Sequence, residues 1–109
     1  MKSYVNSSHT SYRDKIYIVK DVILKLVEWR ELTQTSLVSY CGLNLTKHRW
    51  ILDEMELNGL IERSDESNGK RRFAIYRPTI KGMQFCNEIL EVFERMFPRR
   101  PMGELELGK

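Results

Sequence analysis

Cysteine, histidine and proline are all scarce in this 109-residue sequence, with two, two and three residues respectively. Cys41 and Cys86 stand far apart, which excludes a disulfide framework and makes a reduced, cytosolic compartment the expectation. Neither His9 nor His48 has a cysteine or a second histidine at ligand spacing, so no zinc site is expected. Two histidines placed this way cannot complete a Ser-His-Asp set, and no glycine-rich phosphate loop is present. No apolar run approaches the ~18 residues that a membrane span needs. Residues 1–6 lack the apolar stretch of a signal peptide. A chain this short rarely holds both a core and a deep catalytic cleft, so a binding module is expected ahead of an enzyme, with no cofactor.

What is present is an ordinary globular composition, 41% hydrophobic and 30% charged, enough for one domain. The net charge of +3 decides nothing, but its distribution does. Lys47, His48 and Arg49 precede Asp53, Glu54 and Glu56. Arg63, Lys70, Arg71, Arg72 and Arg77 outweigh Asp65 and Glu66. Two short basic clusters are the footprint of a phosphate-binding face, and equally of a solvated surface with chance clustering.

Residues 1–10 are polar, Ser-rich and aperiodic, and read as a flexible arm. Ser11 and Asp14 form a capping-box pattern, after which Ile16, Val19, Ile23, Leu26 and Val27 recur at helical spacing. Thr33 offers the next N-cap, and Gly42 a left-handed stop. Asn44 then opens a helix whose inner face carries Leu45, His48, Ile51, Leu52 and Met55, ended by Asn58-Gly59. Two helices joined by a four-residue turn with glycine make a helix-turn-helix. Asn68-Gly69 predicts a hairpin with a type I′ turn, and Phe73 and Ile75 alternate with Arg72, Ala74 and Tyr76 as a half-buried strand. Thr79 caps a last helix over residues 80–97, closed by Pro98, with Met83 and Met96 on its core side and Glu88, Glu91 and Glu94 on a solvated face. The tail, 98–109, reads as disordered.

The expected fold is mainly α with a small β-hairpin wing: a winged helix-turn-helix over 11–78 with an extra C-terminal helix over 79–97. The residues also resemble a family of small archaeal winged-helix DNA-binding proteins in which the C-terminal helix forms an antiparallel coiled coil in a dimer. The resemblance runs through Leu32-Thr33-Gln34-Thr35, through the Asn44 cap followed fifteen residues later by Gly59-Leu60-Ile61-Glu62, and through Tyr76-Arg77-Pro78-Thr79-Ile80-Lys81-Gly82. It covers residues 13–97. His48 departs from it, standing where the family usually has an aliphatic residue, and the last helix is shorter than in the long coiled-coil members.

A recognition helix meets the major groove near its N-terminus, which makes Thr46, Lys47, Arg49 and Trp50 the candidate DNA contacts on the helix opened by Asn44. Trp50 could stack on a sugar, but filling the cleft beside the wing is the favoured reading. Lys70, Arg71 and Arg72 follow the hairpin tip and are candidates for the DNA backbone. Arg13 and Lys15 are further candidates for backbone contact. On the last helix, Cys86, Ile89, Leu90, Phe93, Met96 and Phe97 are the candidate dimer contacts, because apolar residues there wrap further than one core stripe needs. The expectation is a homodimeric transcriptional regulator or chromatin factor on double-stranded DNA, cytoplasmic and nucleoid-associated. The alternative is a winged helix used for protein–protein contact in a larger assembly.

Overall fold

The computed structural model describes residues 12–99, with side chains from residue 14. The expectations for the arm, for the Ser11 cap, for Arg13 and for the tail beyond Arg99 lie outside the described residues. The chain runs α1 (Tyr12–Trp29), β1 (Leu32–Thr33), α2 (Gln34–Tyr40), α3 (Leu45–Leu57), β2 (Ile61–Asn68), β3 (Arg71–Pro78), α4 (Ile80–Phe85), a π-helical turn (Cys86–Leu90) and α5 (Glu91–Met96). The three strands form one antiparallel sheet in the order β1-β3-β2.

Local chemistry sets most boundaries. Thr33 Oγ1 accepts from the Ser36 N–H and Asn44 Oδ1 from the Lys47 N–H, each satisfying a free amide at a helix start. Gly42 and Gly59 take positive φ at the ends of α2 and α3. Around them the Leu43 N–H bonds to Val38 O and the Leu60 N–H to Met55 O, with Gly42 to Ser39 O and Gly59 to Glu56 O, so both helices close in Schellman motifs. Arg30 closes α1 in the same left-handed region, φ 74, without a glycine to signal it.

The core is built where these elements converge. Val22, Ile23 and Leu26 of α1 meet Leu37, then Ile51, Leu52 and Met55 of α3, Ile61 of β2, Tyr76 of β3, and Cys86 and Leu90 of the last helix. β1 has only two residues, below the reach of any periodicity. It pairs Leu32 with Tyr76 and Thr33 with Ile75, so Thr33 is at once a strand residue and a helix cap.

Five expectations need correction. The hairpin register pairs Asn68 with Arg71, which makes Gly69-Lys70 the two-residue loop. Only Gly69 has positive φ there, so the turn has the pattern of type II′, not I′. His48 is half-buried at the rim of the core. Its Nδ1 accepts the Asn44 N–H at 3.0 Å, completing a reciprocal cap with the Asn44 side chain. The last helix is not a uniform α-helix: the Glu91 N–H bonds to Cys86 O, five residues back. The extra residue in that turn shifts the phase of everything after it, leaving Met96 exposed instead of in the core. Glu94 is not merely solvated. It binds Lys20 at 2.9 Å and takes both Nε and Nη2 of Arg99, whose Nη1 reaches Asp21. Arg99, the second residue of the expected tail, thereby fastens the chain to α1.

Candidate nucleic-acid interface

The N-terminal half of α3 turns Thr46, Lys47, Arg49 and Trp50 to solvent, as their spacing requires once Ile51, Leu52 and Met55 face inward. The free amides at this helix end also carry partial positive charge, which favours a nearby anion. Carboxylates lie further along and are largely engaged. Glu54 pairs with Lys15 of α1, and Glu56 with Arg63 of β2 at 3.6 Å.

The wing carries the second group. Eight residues per strand at about 3.4 Å each give a ribbon of roughly 27 Å. Every residue from Asp65 to Arg72 is exposed, so the distal half stands clear of the core. Asp65 and Glu66 face Ala74 and Phe73, whereas Ser67 and Asn68 face Arg72 and Arg71. The acidic pair therefore sits closer to the base, and the charged residues of the tip are all cations. Arg72 shares a sheet face with Ala74 and the buried Tyr76, and Arg71 projects from the opposite face.

Ion pairing separates these cations from the others. Lys15, Lys20, Lys25, Arg63, Arg77 and Arg99 each have a carboxylate partner. Lys47, Arg49, Lys70, Arg71 and Arg72 have none among the described residues; the other described cations without one are Arg30, Lys81 and Arg95. Five of the eight uncompensated cations thus fall on the start of α3 and on the wing tip. Trp50 is 47% exposed, so it does not fill the cleft beside the wing; the Lys15 ammonium lies 5.1 Å from its ring centroid. Lys15 is committed to Glu54 and Trp50, a contact that its position in the sequence did not signal.

This architecture has counterparts. It is a winged-helix fold. It is similar to the transcriptional regulator BldR from Sulfolobus solfataricus, with a TM-score of 0.58 and 24% identity over 84% of this chain and 68% of that one. A MarR-family transcriptional regulator from Silicibacter pomeroyi gives 0.56 and 17% over 83% of this chain and 62% of that one. Reduced AbfR bound to DNA gives 0.54 and 25% over 89% and 62%. The chain thus spans 62–68% of the length of these regulators. No protein-family model matches the sequence, and no curated protein matches it.

The candidate dimer residues divide between two environments. Cys86 and Leu90 are each 1% exposed and belong to the protomer's own core. Phe93 is half-buried, edge-on to Tyr17 at 6.2 Å and tilted against Phe97 at 5.1 Å. Ile89, Met96 and Phe97 are exposed, and so is Val92, which the three-four spacing of the candidate stripe passes over. Burial first, then the nearby Asp21 carboxylate, pushes the Cys41 thiol up to about 11, and burial also raises Cys86, both in the direction that disfavours the thiolate. Among the described residues no helix is long and apolar enough to cross a membrane, and no group of three or more His, Cys, Asp or Glu side chains could hold a metal ion.

Proposed function

We propose that this protein is a DNA-binding transcriptional regulator that lays the start of α3 in the major groove and its wing along the backbone. The observation that carries the reading is the concentration of uncompensated cations at the α3 N-terminus and the wing tip, the two elements that a winged helix presents to a duplex. Thr46, Lys47, Arg49 and Trp50 would meet base edges and groove-wall phosphates, and Lys70, Arg71 and Arg72 the backbone. The likeness to AbfR, whose structure is of a DNA-bound form, supports DNA binding as such. No reacting group or cofactor enters this reading. The test is affinity for random duplex DNA at two salt concentrations. Steep weakening with salt is the expected result; absence of binding at low salt overturns it.

A homodimer belongs to this reading, and the resemblance to archaeal proteins with a dimerising C-terminal helix supports it. Ile89, Val92 and Met96 follow one another at three- and four-residue spacing and are 52%, 39% and 68% exposed, which suits contact with a second copy. The same apolar surface favours the alternative of a winged helix serving as a protein–protein module. The salt-dependence measurement separates the two.

A further inference from the structure

Lys15 is the cation that the DNA-facing group does not include, although it reaches that group from another helix. It lies in the first turns of α1, and its ammonium makes two contacts with α3: an ion pair with Glu54 and the face of Trp50 at 5.1 Å. Trp50 and Glu54 are four residues apart, so one ammonium grips two successive turns along one flank of the helix. Among the described residues the indole of Trp50 has no other ring contact and makes no hydrogen bond, and it is half exposed. The Lys15 side chain is 21% exposed, less than that of Glu54 at 42%.

We propose that Lys15 is a positioning residue for DNA binding: from α1 it fixes the indole of Trp50 and the rotation of α3 about its own axis. The inference rests on the DNA-binding reading above. A helix entering a groove reads with the tips of its outward side chains, and a small rotation carries those tips away from their partners. Ile51, Leu52 and Met55 anchor the inner face of α3 in the core and Arg63 of β2 reaches Glu56 on one side, which leaves the flank carrying Trp50 and Glu54 to be held from α1. Lys15 supplies that hold. Its charge is spent on Glu54 and on the indole, so it does not act by neutralising a phosphate.

The two roles differ in measurable ways. Trp29 and Trp50 are the two tryptophans of the chain, so a Trp29→Phe background leaves Trp50 as the reporter. In that background Lys15→Met keeps the apolar stem and removes the ammonium. The free protein should then show a Trp50 that is more accessible to a neutral quencher such as acrylamide, with an altered emission maximum. Duplex affinity should fall about three- to tenfold, the range that a half-exposed cation–π contact and ion pair supply together. The slope of log K against log salt should stay unchanged, whereas removal of a phosphate-binding cation would lower it by about 0.9. Lys15→Arg should restore both the emission and the affinity. Lys15→Met should cost less affinity in a Trp50→Ala background than in the parent, the remaining loss being that of the Glu54 pair. A slope reduced by about one unit, or unaltered Trp50 accessibility in Lys15→Met, overturns the positioning role while leaving the DNA reading intact. A parent protein that does not bind DNA at low salt overturns the DNA reading and this role with it.

Discussion

Gly82 of α4 packs directly against the backbone of Leu60, in the turn that follows α3. A β-carbon built there would lie 2.1 Å from the carbonyl oxygen of Leu60, a backbone atom with no freedom to swing aside. Gly82→Ala should therefore destabilise the protein by about 1–3 kcal/mol, as overpacking does, read as a lower urea midpoint with the slope retained. Thr79, three residues before, donates to Gly59 O at 2.7 Å while accepting the Gly82 N–H at 2.9 Å. These two hydrogen bonds tie Thr79 at once to the end of α3 and to the first turn of α4. Glu94 gives a prediction in pH. The hydrogen bonds from Arg99, and then that from Lys20, hold its carboxyl at about 2, below the ordinary 4.5. A depressed folded-state value means that the unfolded chain takes up the proton first. The stabilisation is present above pH 4.5 and lost as pH falls towards 2. Unfolding midpoints measured across that window should fall in the wild type, and Glu94→Gln should flatten that part of the profile. Parallel profiles would remove Glu94 from the network. The helical period of residues 88–94 made this glutamate legible as a surface residue. It could not reveal Lys20 and Asp21, more than seventy positions away.

Among the elements, the wing is the one whose role is most directly measured. Arg71→Ala with Arg72→Ala removes two exposed cations that hold no ion pair with a described carboxylate. Affinity should drop for every duplex sequence alike, and the slope of log K against log salt should shrink by about 0.9 for each phosphate left without its cation. An unchanged slope would take the wing off the DNA. The elements that could be read from sequence were those with a chemical marker at each end: α2 between Thr33 and Gly42, α3 between Asn44 and Gly59. The turn of the wing was located to within one residue, because Asn68-Gly69 and Gly69-Lys70 are both acceptable loops and only the strand pairing decides between them. The strand β1 carried no marker of its own. Its two residues are extended because Leu32 and Thr33 lie against Tyr76 and Ile75, a pairing set by the rest of the sheet.

The whole molecule presents the question of a second copy. Ile89→Glu with Val92→Glu changes two residues that are exposed in the protomer, so the fold should survive, as the circular dichroism spectrum can verify. The parent should sediment at twice 13.0 kDa and the variant at 13.0 kDa. A parent at 13.0 kDa at micromolar concentration would end the dimer proposal. The pattern of apolar positions over residues 80–97 suggests such an interface but places Cys86 and Leu90 in it, because periodicity of that kind presumes a straight α-helix. The turn with one residue too many has a further consequence, for what the gene can lose. Between the two buried anchors Cys86 and Leu90, one of the exposed residues Asn87, Glu88 or Ile89 is surplus to α-helical pitch. Deleting Glu88 should let α4 and α5 join as one α-helix with both anchors still facing α1. Deleting Phe93 should instead rotate the Arg99 clasp away from Asp21. Thermal denaturation of the two deletion variants should show the first close to wild type and the second well below it. In a molecule this small, that turn is the place where a helix can shed a codon and keep its neighbours.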